Sequence, residues 1–390
     1  MLRGKFVCKM KKETVSTKSY GRSESASSLF EARTAKERSS KLRAISQEKI
    51  TAVLGEVRQK LDKGLSSAAE EIITATLDNY LLSAEQQAEL TELLSYTFET
   101  QGRYPESLEA IKRYDDETLL SQIDLPRQIS VITQLAIAFN NTNDYPKAVA
   151  LLNYALEEAK AGNLTELFGK IYVAFSRVYR KLNEFPISRD HAEKALNHYR
   201  EMGDWRGMAE SYQGIATAYR QESDNEKSVE FFLLAIQIIG ERNAPFLLGK
   251  IYSDMSGAYW FLRRPQDGIA CLEKSIKFFE QTEHKIQAAA ALNNLGLHLV
   301  MLGDWTKAEN AYRRALEFAT AANHVHVAGI LDSLGELKIL RGELTEAQEL
   351  LEQSVELAEE RKKEWYAIQS LRACLEIRKR SVEIDKLFLQ

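Results

Sequence analysis

The sequence predicts an all-α protein in which antiparallel helix pairs stack into an α-α superhelix. Three observations predict it. An aromatic residue followed by proline returns at Tyr104, Tyr145 and Phe185, about forty residues apart each time. A small residue preceded by an apolar one returns at Ser95, Ala136, Ser176, Ala216, Ser256, Gly296 and Gly335, with gaps of 41, 40, 40, 40, 40 and 39. Between these landmarks the apolar residues keep helical spacing. Leu292, Leu295 and Leu299 share one stripe, and Ala308, Tyr312 and Ala315 the next, so each unit is two amphipathic helices. One such pair cannot cover its own apolar face, and neighbours must stack to bury it.

The first element, residues 1–45, departs from this pattern. It carries twelve Lys or Arg against four Glu, a charge of +8 that leaves −12 for the rest of a chain whose net charge is −4. It is rich in Ser and poor in periodic apolar residues, so it buries too little surface to offset the entropy of ordering it. The expectation is a disordered basic tail. Its scattered charges hold no aromatic ladder, and nucleic-acid contact through it is a secondary reading.

Residues 46–86 hold two helical patterns, EKITAVLGEVRQKL and SSAAEEIITATLDNYLL, joined at Gly64. They read as a degenerate repeat or N-terminal cap. Residues 87–360 then hold seven repeats, each with a second small residue twelve positions after the first. Small residues there let paired helices approach where larger side chains would hold them apart. Proline after the aromatic suits the start of a second helix, because first-turn N–H groups lack intrahelical partners. Trp305 and Leu344 take the aromatic's place in later repeats, Pro265 stands there in repeat five, and Asn225 leaves repeat four without a plug and so looser. Residues 361–390 begin a further first-helix pattern, expected as a C-terminal capping helix, with a lost output domain as the alternative.

The clearest copy, ALNNLGLHLVMLGDWTKAENAYRRALEFA, resembles a tetratricopeptide repeat through Leu292, Leu295, Gly296, Gly303, Trp305, Ala308, Tyr312 and Ala315. The resemblance covers roughly residues 87–360. It departs from the usual 34-residue unit: Lys160, Arg200, Gly240, Glu280, Thr320 and Glu359 stand where proline would close the second helix. That helix can therefore run on by about 5 to 6 residues. This long variety is similar to modules in bacterial signalling regulators and scaffold proteins.

No constellation for catalysis is present. Phosphate-cradling glycine loops, the G-x-S-x-G elbow and H-E-x-x-H are all missing from the sequence. His324 and His326 flank Val325 with no further ligand nearby, and His191 and His198 share a second helix, where packing accounts for them. The expectation is a non-enzyme with no cofactor and no metal. Cys8, Cys271 and Cys374 lie far apart and read as free thiols, which suits a reducing, cytoplasmic compartment. No apolar run near 18 residues suggests a membrane span.

A binding groove remains. First helices line the concave side, and residues at groove phases in repeats three to five are Lys170, Arg177, Arg180, Lys181, Arg220 and Lys250. Glu89, Glu92 and Glu99 occupy these phases in repeat one, so the groove is expected to be polarised along its length. Gln134, Gln213, Asp254 and Asn294 stand two before the small residue, with Asn293 beside the last, and Trp260 and Phe261 add apolar surface. The family resemblance implies that Asn294 grips a bound peptide's backbone. The expected partner is a protein or peptide, through an acidic segment or a C-terminal carboxylate. A scaffold, a peptide-responsive sensor module and a self-associating array all fit this reading.

Overall fold

A computed structural model describes residues 42–321 and 326–360. The sequence expectations for the basic tail up to residue 41, for His324, for Cys8 and Cys374 and for the C-terminal cap lie outside the described residues. The array begins with α1 (Gln47–Asp62), α2 (Ser66–Asn79) and α3 (Ala84–Thr100). Ser46 caps α1 by accepting the Lys49 amide, and Ser83 with Gln86 forms a reciprocal capping box on α3. These three helices share a core of Ile50, Val57, Ala69, Ile73 and Leu90.

The first repeat's second helix, α4 (Tyr104–Ile111), is short. Lys112–Asp115 tightens into a 3₁₀ turn, and Asp116 caps the four-residue α5 (Glu117–Leu120) by accepting the Thr118 amide at 2.8 Å. The helix thus stops at Ile111, whereas in other repeats it runs two turns further.

Regular pairs follow: α6 (Leu125–Asn141) with α7 (Tyr145–Ala161), α8 (Phe168–Lys181) with α9 (Phe185–Met202), and α10 (Trp205–Gln221) with α11 (Asn225–Ile239). Then come α12 (Pro245–Phe261) with α13 (Pro265–Glu280), α14 (Lys285–Leu302) with α15 (Trp305–Ala321), and α16 (His326–Arg341) with α17 (Leu344–Glu360). The fold is the all-α superhelix of antiparallel pairs. Tyr104, Tyr145 and Phe185 open their helices, each with proline next, where a missing N–H costs nothing.

The turn within each pair repeats at the backbone. Gly102, Asn143, Asn183, Ser223, Arg263, Gly303 and Gly342 all have φ between 56° and 80°. Each follows the end of a first helix, and the residue after it donates back across the turn, as Asp144 N does to Phe139 O at 2.9 Å. That geometry satisfies otherwise orphaned carbonyls and needs the left-handed region, where Gly and Asn cost least. Asn225 is buried rather than a gap, and its Nδ2 donates to Ser223 O at 3.2 Å, so repeat four is closed by a polar side chain where looseness was expected.

The close approach between paired helices has a direct measure. A Cβ on Gly296 would stand 2.3 Å from Tyr312 Cε1, and one on Gly249 would stand 2.7 Å from Phe279 Cε1. Consecutive first helices touch one another far more than consecutive second helices do. First helices thus line the inner side, and the apolar core runs between the two layers.

Candidate functional site

The inner side carries charged rungs on the first helices α3, α6, α8 and α10. Glu89 and Glu92 on α3 meet Arg127 on α6 at 2.8 and 3.2 Å, and Glu92 also binds Lys170 on α8 and accepts from Ser130 Oγ at 2.7 Å. Arg177 on α8 spans Glu99 on α3 at 3.1 Å and Glu210 on α10 at 3.4 Å. The expected polarisation along the groove is therefore corrected: the acidic repeat faces the basic ones, with Glu92 paired to Lys170 and Glu99 to Arg177. A tight superhelical turn brings residues 78 apart in sequence into contact.

Burial sets the energetics of these pairs. It works against ionisation of Glu92, but Lys170, Ser130 and Arg127 outweigh it and hold the carboxyl below its ordinary range. Burial likewise opposes the charge of Arg177, and Glu99 with Glu210 more than compensates. Arg180 and Lys250 have no ion-pair partner among the described residues. Burial pulls both below their usual ranges, opposed at Arg180 by the Asp254 charge and reinforced at Lys250 by Arg177.

The ladder is closed as well as lined. The turn between α1 and α2 meets the turn before α14: Ser67 N donates to Glu283 Oε2 at 2.7 Å and Glu283 N donates to Gly64 O at 3.1 Å. Gln287 Nε2 donates to Thr100 O at 2.7 Å, and Arg206 pairs with Asp62 at 2.8 Å. His284 is buried there, its ring 3.9 Å from that of Phe246. The open trough implied by the repeat pattern is thus a ring closed on its N-terminal cap.

Inside lies a cavity of about 350 Å³, lined by Glu99, Asn140, Asn141, Arg177, Arg180, Lys181, Lys250 and Gln287 among others. A second, of about 210 Å³, adds Gln213 and Asp254 and shares Arg177, Arg180, Glu210 and Lys250 with the first. A wider hollow of about 740 Å³ lies beyond Tyr104, His284 and Gln287, which border both spaces. Asn140 Oδ1, Asn141 Nδ2 and Gln287 Oε1 are buried without a hydrogen-bond partner.

Of the residues singled out in the sequence, Arg177, Arg180, Lys181, Gln213, Lys250 and Asp254 line these two cavities. Gln213 is occupied by Asp254, donating at 2.6 Å. Lys170 is taken up by Glu92, and Arg220 lies over Gly257 with its Nε unpartnered. Trp260 packs edge-on to His298 at 5.4 Å, and Phe261 is exposed. Asn293 and Asn294 line neither cavity, and Asn293 Oδ1 is buried without a partner. The sequence reading missed Asn140, Asn141, His284 and Gln287. Only Gly64, recognised as a helix joint, carried a signal for the contact that gathers them.

His191 and His198 are packing residues. The His191 ring stacks 4.7 Å from Phe175 and 5.3 Å from Tyr179, and burial lowers its pKa to about 4. Cys271 is a buried free thiol whose pKa burial raises to about 11. Among the described residues no three His, Cys, Asp or Glu side chains gather as a metal site, and no helix is long and apolar enough to cross a membrane.

Two tetratricopeptide-repeat family models match the chain, over residues 209–241 and 247–321. Regulatory protein RapK of Bacillus subtilis is 27% identical over 203 residues, which are 50% of this chain and 54% of that protein. The match thus spans about half the length of the curated relative. Among solved structures, the hetero-tetramer Cut9-Hcn1 of the APC/C is similar over 88% of this chain and 59% of its own, with a TM-score of 0.60 and 14% identity. A Rap protein complexed with competence and sporulation factor is similar over 87% of this chain and 99% of its own, with a TM-score of 0.52 and 15% identity.

Proposed function

We propose that this chain, which is a tetratricopeptide-repeat protein, acts without catalysis, holding a peptide or a segment of a partner protein inside its superhelix. One observation carries the reading. In the cavity of about 350 Å³ five cations (Arg177, Arg180, Lys181, Arg206 and Lys250) meet only three carboxylates (Asp62, Glu99 and Glu210), beside Asn140, Asn141 and Gln287, each with one buried amide atom that lacks a partner. Amide side chains both donate and accept, as a peptide backbone requires, and surplus positive charge favours an acidic segment or a chain end.

The ring closure favours a sensor over a passive scaffold. A ligand with different affinities for the closed and opened ring shifts the balance between them. RapK is a regulatory protein and the similar Rap structure is a complex with competence and sporulation factor, which supports a regulatory role for this chain.

The test is capture from a native lysate, with bound peptides and proteins identified by mass spectrometry. Wild type is compared with Asn141→Leu, Arg180→Glu and an outer-face control, Lys160→Glu. Loss of the same species from the two inner variants alone is the expected result; an unchanged set would exclude the cavity as the recognition site.

A further inference from the structure

Repeats five to seven break a pattern along one edge of the array. Every first helix ends at this edge, where its pair turns, and the residue five places after the small one stands there. In repeats two to four it is Asn141, Lys181 and Gln221; in repeats five to seven it is Phe261, Met301 and Leu340. Phe261 is 63% exposed and Leu340 54%, and Leu302 and Trp305, which flank the turn of the repeat between them, are exposed as well. None of these four belongs to a core cluster, and none lines the two inner cavities. Exposed apolar side chains scattered singly need no account, but a row on three neighbouring turns marks a contact surface.

The same edge carries an unmatched charge. In these three turns Arg264 pairs with Asp267, Lys307 with Asp304, and Glu343 and Glu346 with Lys338. Arg263 is exposed, and no hydrogen bond or ion pair engages it among the described residues. It also holds φ 56° at a turn position that the other repeats give to Gly, Asn or Ser. Backbone strain of this kind clusters at binding surfaces. A partner that covers Phe261 thus meets a lone cation two residues on, and a carboxylate complements it.

Spacing selects the partner's conformation. Packed helices stand roughly 10 Å apart, so neighbouring first helices present their apolar residues at about that interval. Every seventh residue of an α-helix recurs at roughly 10 Å on one stripe. In a β-strand the third residue lies at a similar distance but points to the opposite face. Polyproline repeats at a similar interval but docks in aromatic-lined grooves, whereas Met301, Leu302 and Leu340 make this surface largely aliphatic. We propose that Phe261, Met301, Leu302, Trp305 and Leu340 form a second docking surface, apart from the inner cavities, for an amphipathic helix of a partner protein. That helix carries apolar residues at heptad spacing and a carboxylate over Arg263.

The test uses the full chain and fluorescence anisotropy of labelled synthetic peptides of about 20 residues, enough to span three first helices. The first peptide has Leu at every seventh position of an Ala- and Gln-rich frame, with Glu at one end. The second moves the Leu residues to every fifth position, which scatters them around the helix; the third has Lys for Glu; the fourth is proline-rich. The first should bind about tenfold more tightly than the second and about two- to fivefold more tightly than the third. Phe261→Ser and Leu340→Ser should each weaken it about tenfold without lowering Tm, because both side chains are exposed. Arg263→Gly, freed of strain, should melt at or above wild type and bind the first and third peptides alike, and Asn141→Leu should bind as wild type does. Equal binding of the first two peptides, tighter binding of the fourth, full affinity in both Ser variants or loss of binding in Asn141→Leu would overturn the proposal. A dimer seen by sedimentation and lost in Phe261→Ser would give the surface to a second copy of the chain and overturn it too. If all four peptides fail while lysate capture still depends on Asn141, this surface falls and the inner recognition site stands.

Discussion

Ser67 donates its backbone N–H to the Glu283 carboxylate at 2.7 Å, across 216 residues of sequence. The bond joins the N-terminal cap to the turn before α14, and Glu283 N returns a second one to Gly64 O. Gly64 has φ +71°, and a Cβ there would stand 2.6 Å from Thr282 Cγ2. Two short backbone segments thus meet where only glycine fits.

Opening this contact should be measurable. Gly64→Ala and Glu283→Ala are expected to weaken closure by about 0.5–1.5 kcal/mol, the net worth of a hydrogen bond at a solvent-exposed contact. Small-angle scattering should show a larger radius of gyration, with faster amide exchange at residues 64–67. Glu283→Gln keeps an acceptor for Ser67 and should stay closed. A wild-type radius in Gly64→Ala would rule out glycine's role.

Arg177 ties three first helices together. Arg177→Met should destabilise by about 1–3 kcal/mol, because Glu99 and Glu210 are left without their cation. Adding Glu99→Gln should recover part of the loss, with a coupling of about 0.5–3 kcal/mol in a double-mutant cycle by denaturant unfolding. Strict additivity would mean that the pair does not interact.

Acid should loosen the ring in two windows. Burial, with the Lys250 charge next, lowers the His284 pKa from 6.5 to about 4. The folded value is depressed, so the unfolded chain binds the proton more readily and stability drains as pH falls from 6.5 toward 4. Glu92, held below 4.5, contributes stability above that value and loses it as pH falls further. Thermal melts of His284→Gln should show a shallower slope between pH 6.5 and 4, with His191 supplying part of what remains. An unchanged slope would place the titration elsewhere.

Two glycines should respond differently to alanine. Gly296→Ala drives a Cβ to 2.3 Å from Tyr312 and should cost about 1–3 kcal/mol by overpacking, partly restored by Tyr312→Leu. Gly303 has nothing within 4 Å but φ +77°, so Gly303→Ala should cost roughly 1–2 kcal/mol through the backbone alone. Tyr312→Leu should not rescue it, and Gly303→Asn should be milder. Denaturant midpoints separate the two.

The sequence by itself determined the repeat. Its gaps of 41, 40, 40, 40, 40 and 39 recur in the left-handed residues from Gly102 to Gly342, because turn chemistry and helix approach are local and each repeat must solve them alone. It also placed Arg177, Arg180 and Lys250 on the inner side, since helical phase is local too. Only the tertiary structure decided how those charges meet. Small rotations between repeats add up along the array, and their sum brings Glu99 onto Arg177 and Ser67 onto Glu283. No local pattern encodes that sum, so Asn140, Asn141, His284 and Gln287 became cavity residues only when the ring closed around them.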